Sequence, residues 1–218
     1  DHIDIRREYR EHMEEMLDYY ADFVCTGTVA DLMLLEGENR TFVKAGLEIL
    51  NSTPRCGFES LMKISGLEGK AVTSENIAYT IAPRINTAGR MSDATSALEL
   101  LLSEDEEDAD NLASFLDNEN RKRQDTQNKI AEDITNELQD NGDMLKDRVI
   151  VVWGDHYHPG VVGIVASRLV EKYSRPAIVF TKDGDEYKGS GRSVPAFSLH
   201  NALDNVKEYL IRFGGHEL

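Results

Sequence analysis

The chain has 218 residues, of which 40% are hydrophobic and 29% charged. This length suffices for two small domains with separate cores, and we expect two. No run reaches the roughly 18 apolar residues of a membrane span, so the composition excludes an integral membrane protein. The first ten residues, DHIDIRREYR, contain no apolar signal sequence, which predicts a cytoplasmic location.

A net charge of −16 is unfavourable for binding a phosphate backbone. The charge is unevenly distributed, however. Residues 145–218 contain 10 Lys and Arg against 9 Asp and Glu, whereas residues 1–144 contain 14 against 31. A local phosphate site therefore remains compatible with the composition.

Hydrophobic periodicity predicts a largely helical first half. Residues 7–20 form a helix that runs into a short buried strand at 22–27, ending at Gly27. Further helices are predicted around Val43, Leu47 and Leu50 with a break at 51–57, from a Ser74 cap to Thr80 with a stop near Pro83, and over 92–102.

A polar helix is predicted to join this half to the next. The acidic run SEDEEDAD from Ser103 is typical of a solvated helix start. From Asn118 to Leu138 the only apolar stripe is Ile130, Ile134 and Leu138, which is too thin for full burial. We interpret this segment as an exposed connector ending at 141–143.

The second half alternates strands and helices, which predicts a small α/β module. The predicted elements are strands at 149–153 and 176–180, a polar strand or hairpin at 186–193, a helix at 161–173, and a helix whose face carries Leu199, Ala202, Leu203, Val206 and Leu210.

Asp31 lies four residues after Gly27, just past the end of the predicted strand 22–27. Ligands of α/β sheets usually lie at this end of a strand. The alternative is that Asp31 caps the next helix. A hard cation such as Mg²⁺ or Mn²⁺ needs several oxygen ligands, so Asp31 would need partners elsewhere.

Two segments offer donors for phosphate. IAPRINTAGRM at 81–91 presents Arg84, Asn86 and Arg90 on backbone that we expect to be irregular, and Arg matches phosphate oxygens bidentately. Gly189-Ser190-Gly191-Arg192-Ser193 combines close-approaching amides with hydroxyls and an arginine. Ion pairing of the arginines with local acids, and a simple hairpin turn, are the respective alternatives.

The remaining polar candidates are weaker. Gly214-Gly215-His216 places an imidazole after flexible backbone. Asp155, His156 and His158 share a short loop without an obvious further metal ligand. Cys25 and Cys56 lie in no CxxC motif, so we interpret both as reduced thiols in or near a core.

Six strings in order resemble the RecJ branch of the DHH phosphoesterases. They are GTVADLMLLEGENR at 27–40, IAPRINTAGRM at 81–91, LDNENRKRQ at 116–124, HPGVVGIVASRL at 158–169, GSGRS at 189–193 and FGGH at 213–216. The resemblance implies the end of an α/β DHH catalytic domain over 1–117, a connector helix over 118–141, and a DHH-associated α/β domain over 142–218 that binds substrate. A nucleic-acid strand would thread the cleft between the two domains.

The resemblance implies a 5′ to 3′ single-stranded-DNA exonuclease of DNA repair and recombination, with single-stranded DNA as substrate and a repair helicase or single-strand-binding protein as candidate partners. It implies two-metal hydrolysis with Mn²⁺ or Mg²⁺, in which Asp31 binds metal and His216 contacts the scissile or adjacent phosphate. Phosphate and backbone contacts would come from Arg84, Asn86, Arg90, Ser190, Gly191, Arg192, Gly214 and Gly215.

The chain departs from the family pattern before Gly27, where DHD and DHH motifs should supply most metal ligands. We therefore expect a fragment that is inactive by itself. Two alternatives stay open: a DHH phosphodiesterase of short RNA or cyclic dinucleotides, and a catalytically dead scaffold that binds DNA or a partner.

Overall fold

The computed structural model describes residues 2–142, 144–195 and 197–215, and the side chains among them except those of 2–14, 18 and 145. The chain divides into two compact units, Asp1–Asn120 and Arg121–Leu218. The division falls inside one long helix. Strands occur in the second unit, and the α/β class is confirmed there.

The described part of unit 1 is helical. Its elements are α1 (His2–Ala30), α2 (Gly37–Ser52), α3 (Cys56–Ile64), α4 (Ser74–Asn76), a π-helix (Ile77–Ile81), α5 (Ala82–Met91), α6 (Thr95–Leu102) and the first half of α7 (Glu106–Asp140). Buried Phe58, Leu61, Ile81, Leu100 and Leu116 lie at the centre of its core.

The strand predicted at 22–27 is wrong, because α1 continues through it to Ala30. The buried residues Ala21, Cys25 and Val29 recur every fourth position and form one helix face against α2. Gly46 of α2 permits this packing, since a Cβ there would lie 2.2 Å from the Ala21 carbonyl oxygen.

The predicted helix stop near Pro83 is also wrong. Thr73, rather than Ser74, is the N-cap: its hydroxyl accepts from the Asn76 amide in a capping box. Proline lacks the amide that continues an α-helical ladder and crowds the preceding turn. The wider π-turn at 77–81 precedes Pro83, and the helix then continues as α5.

The helix α7 begins at Glu106, twelve residues before the predicted connector. Its acidic start is exposed, as predicted. Ile130, Ile134 and Leu138 are buried inside unit 2, where Asn128 and Thr135 bond Arg168 and Lys172. The thin stripe is thus a packed face, and most of the polar residues around it are exposed.

In unit 2 the described strands β1 (Ile150–Gly154), β2 (Ala177–Asp183) and β3 (Glu186–Arg192) form one sheet in the order β1-β2-β3. The helix α8 (Val162–Tyr173) joins the parallel pair β1–β2. A two-residue turn with Gly184 at φ 65° joins the antiparallel pair β2–β3.

The last predicted helix is shorter than expected. It spans α9 (Leu199–Asp204), and a separate 3-10 turn covers Lys207–Tyr209. Val206 is 42% exposed, so the predicted apolar face does not continue into a buried helix.

None of the described helices is both long enough and apolar enough to cross a membrane.

Candidate functional site

A hollow of about 600 Å³ in unit 1 brings together three of the residues predicted from the sequence. Asp31, Asn86 and Arg90 line it, with Gly27, Ala30 and Gly89. We predicted irregular backbone over 81–91, but the segment is helical. The spacing of residues 86, 89 and 90 places them on one face of α5. The end of α1 forms the opposite wall.

Asp31 stands at the C-terminal end of a helix and not after a strand. Its backbone amide donates to the Gly27 carbonyl (3.0 Å), and its side chain is exposed. It does not cap the next helix, because Glu36 occupies the N-cap position of α2. A carboxylate at the negative end of a helix dipole is unfavourable unless a cation is near. The helix end and the Asp31 carboxylate therefore both favour positive charge in the hollow, and the Arg90 guanidinium, which lines the same hollow, supplies one.

Arg84 faces away from the hollow. Its guanidinium bonds the Asp117 carboxylate through Nε (2.9 Å) and Nη2 (2.8 Å), and Nη1 donates to the Thr80 carbonyl (2.7 Å). The ion-pair alternative thus describes Arg84 in this structure.

In unit 2, Ser190 and Arg192 lie on β3, on the sheet face covered by α8. They surround Gly163 in the first turn of α8: a Cβ at Gly163 would lie 2.9 Å from Ser190 Oγ and 3.3 Å from Arg192 Nη2. Arg192 is exposed, and its Nη1 donates to the Gly191 carbonyl (2.7 Å). A hydroxyl and a guanidinium therefore meet the positive end of a helix dipole, an arrangement suited to an anion.

The segment 189–193 is not the hairpin turn considered as an alternative, since it lies in a strand apart from Ser193. Its glycines are explained by packing. A Cβ at Gly189 would lie 2.6 Å from the Phe180 ring, and one at Gly191 would lie 2.5 Å from Leu199 Cδ2. Gly191 thus allows Leu199 to pack closely on the sheet face opposite to Ser190 and Arg192.

Gly214 lines another hollow of about 600 Å³ on that opposite face, together with Gly189 and Gly191. Gly215 is exposed. The structure does not bring Gly214 to the side of the sheet that carries Arg192. His216 lies outside the described residues.

No group of three or more His, Cys, Asp or Glu suited to a metal ion occurs among the described residues. Asp155 accepts from the Tyr187 hydroxyl (2.5 Å), His156 faces Asp133 (3.9 Å), and His158 Nδ1 accepts from the Gly160 amide (3.1 Å). Asp31 offers one carboxylate, which alone does not fit a hard divalent cation. Cys25 and Cys56 are both free thiols, as predicted.

Comparison with known proteins shows which proteins the chain resembles. Residues 146–218 match the DHHA1 domain. The chain is 39% identical over 206 residues to the single-stranded-DNA-specific exonuclease RecJ of Bacillus subtilis, covering 94% of this chain and 26% of that protein. It is 37% identical over 198 residues to RecJ of Thermus thermophilus, covering 91% and 28%. The similarity to these RecJ proteins extends over both units of the chain.

Solved structures show the same similarity to RecJ proteins. RecJ from Thermus thermophilus in complex with Mg²⁺ superposes with a TM-score of 0.78 at 34% identity, over 92% of this chain and 30% of that one. Its complex with Mn²⁺ gives 0.79 at 33% identity, over 92% and 29%. The chain spans little more than a quarter of the length of the RecJ proteins of Bacillus subtilis and Thermus thermophilus.

Sequence reasoning missed three residues that shape these surfaces. Gly163 is contained in the string HPGVVGIVASRL, and a glycine in the first turn of a helix signals close approach. Asp117 and Asn120 are contained in LDNENRKRQ, where two buried polar residues three positions apart signal a polar helix contact.

Proposed function

We propose that the chain is part of a metal-dependent 5′ to 3′ exonuclease of single-stranded DNA that acts in DNA repair. The observation that carries the proposal is the hollow in unit 1, where Asp31, Asn86 and Arg90 of a RecJ-like chain meet. A cytoplasmic location belongs to this proposal, since such an enzyme meets its DNA there. A repair helicase or a single-strand-binding protein remains a proposed partner.

In this proposal Asp31 contributes one carboxylate to a Mn²⁺ or Mg²⁺ ion whose other ligands lie outside the described residues. Asn86 and Arg90 hold a backbone phosphate beside Asp31, because an amide and a guanidinium both donate to phosphate oxygens. His216 and the two preceding glycines are proposed to contact a neighbouring phosphate.

The surface formed by Ser190, Arg192 and the first turn of α8 is proposed to bind the 5′-terminal phosphate. Three kinds of donor support this: a hydroxyl, a guanidinium and the helix N-terminus at Gly163. Arg84 has a supporting role, since Asp117 and Thr80 engage its guanidinium.

The test is the affinity of 5′-phosphorylated and 5′-hydroxyl strands for a full-length protein carrying this chain, with and without Arg192→Ala. We expect the substitution to weaken the phosphorylated strand by about 1.5–3 kcal/mol, the contribution of a charged hydrogen bond, and the hydroxyl strand much less.

Lys188→Ala is the matched control, because Lys188 is an exposed cation on the same strand and the same sheet face. It should affect both strands alike through general electrostatics. A two-by-two cycle with no coupling between Arg192 and the terminal phosphate would refute the assignment.

A further inference from the structure

The helix α5 has two polar faces that point in opposite directions. At about 100° per residue, positions 86, 89 and 90 share the face toward the hollow, and positions 84 and 87 share the reverse face. The orientation of Asn86 and Arg90 toward Asp31 therefore depends on how α5 is rotated about its own axis.

The reverse face is bonded to α7 at two buried points. Arg84 pairs with Asp117, whose side chain is 5% exposed. One turn further along both helices, the Thr87 hydroxyl lies 3.2 Å from Asn120 Oδ1 and 2.8 Å from the Pro83 carbonyl oxygen. Thr87 is completely buried, and Asn120 is 3% exposed. We call these four residues the α5–α7 staple.

A buried ion pair is a poor source of stability, because desolvating two charges offsets their attraction. Such a pair does, however, define geometry sharply, since any displacement leaves a buried charge without its partner. Two polar contacts one helical turn apart fix both the axial position and the rotation of a helix, which apolar packing alone leaves less defined.

The start of α5 needs such a constraint. The π-turn at 77–81 changes the hydrogen-bond ladder immediately before α5, and Pro83 donates no amide to it. The backbone thus sets the rotation of α5 less firmly than in an unbroken α-helix. Arg84 Nη1 bonds the Thr80 carbonyl and so connects the staple to this irregular turn.

We infer that Asp117 and Asn120 are positioning residues, which set the rotation of α5 and thereby hold Asn86 and Arg90 toward a DNA phosphate beside Asp31. This inference rests on the proposed function of the hollow. It gives a role to the string 116–124, whose residues do not line the hollow.

The experiment measures binding of single-stranded DNA to the full-length protein with a chelator present, so that the strand is not cut. Two DNA strands are compared. One is ordinary, and the other carries uncharged methylphosphonates in place of its first phosphodiester linkages. Arg90→Ala should weaken the ordinary strand about tenfold and the uncharged strand little. Asp117→Asn, which keeps the side-chain shape, should show the same selectivity at threefold or more.

The two substitutions should also be non-additive: in an Arg90→Ala background, Asp117→Asn should add less than a twofold effect. Thr87→Val, a milder change of the staple, should act in the same direction and covers the case that Asp117→Asn does not fold.

Asp110→Asn is the matched control. Asp110 lies on the same helix and pairs with Lys63 (2.6 Å) and Ser60 (2.8 Å) of α3, so its substitution removes a more exposed ion pair of α7 without touching α5. It should leave the selectivity between the two strands unchanged.

The outcomes separate the two ideas. If Arg90→Ala is selective while Asp117→Asn and Thr87→Val weaken both strands equally, or add fully to Arg90→Ala, the positioning role is refuted and the hollow stands. If Arg90→Ala itself weakens both strands equally, the phosphate contact in the hollow is refuted, and the positioning role with it.

Discussion

Asp31 is the residue whose chemistry can be tested most directly. Replacing it by Asn in a full-length protein keeps the shape of the side chain and removes its charge. Because we propose that it binds metal and not the strand, cleavage should fall by at least about 100-fold, while affinity for single-stranded DNA changes little. Single-turnover cleavage and equilibrium binding measure the two effects.

Glu36→Gln is the control, because Glu36 is an exposed carboxylate close in sequence that does not line the hollow. It should leave both quantities unchanged. A parallel loss of cleavage and binding in Asp31→Asn would reduce Asp31 to an electrostatic or structural role.

Cys25 makes unit 1 sensitive to alkaline pH. Burial, and secondarily the nearby Asp22 carboxylate, raise the pKa of this thiol from 9.0 to about 11. The folded state then retains the proton to a higher pH than the unfolded state does. The contribution of this thiol to the free energy of unfolding is therefore constant below pH 9 and falls as pH rises from 9 toward 11.

The measurement is the unfolding free energy of wild type and Cys25→Ala across this range. The stability advantage of wild type should shrink between pH 9 and pH 11. A difference that stays constant with pH would show that the thiol does not titrate there.

At the scale of elements, the periodicity of the sequence predicted most helices and the three strands but not the continuation of α1. The run Phe23-Val24-Cys25 is apolar and has the β-branched Val24 at its centre, which indicates a strand over so short a window. Over a longer window, the buried Ala21, Cys25 and Val29 have helical spacing. A short apolar run therefore does not distinguish a buried strand from a segment of helix.

The motifs predicted residues that the fold brings together, but they did not predict the backbone on which these residues lie. Asp31, Asn86 and Arg90 do line one hollow, although we expected a strand before Asp31 and irregular backbone around Arg84. The presence of Pro83 indicated a break, and the π-turn that accommodates it cannot be read from local propensity. The pairing of Arg84 with Asp117 joins residues 33 positions apart, which no local pattern contains.

The contact of α1 with α2 depends on a glycine, and this leads to a stability prediction. Gly46→Ala should destabilise the protein by about 1–3 kcal/mol or more, because its Cβ would lie 2.2 Å from the Ala21 carbonyl oxygen and 2.3 Å from Cys25 Cβ. Denaturant unfolding measures the change.

Gly27→Ala is the matched control within the same helix pair, because nothing lies within 4 Å of its added Cβ. Alanine favours helix more than glycine does, so this variant should be more stable by about 0.5 kcal/mol. Equal losses in the two variants would mean that the close approach of the helices is not what Gly46 permits.

At the scale of the whole molecule, we expect a polypeptide of these 218 residues to lack exonuclease activity. The described residues contain no cluster of three metal-binding side chains, and one carboxylate does not hold a hard cation tightly. Incubation with Mn²⁺ and 5′-labelled single-stranded DNA should release no mononucleotides. Sustained processive release would show that the catalytic ligands are present within the chain.

The topology of unit 2 has a consequence for synthesis on the ribosome. The β2–β3 hairpin closes through two residues and can form within microseconds, whereas β1 pairs, among the described strands, with β2 across the whole of α8. Because translation proceeds at roughly 5–20 residues per second, β1 emerges a second or more before its partner exists. Its IVVW run is apolar, uncharged and rich in β-branched residues, the composition that favours intermolecular strand pairing. Between the emergence of Ile150 and that of Asp183, β1 therefore lacks its partner strand and is open to pairing with another chain.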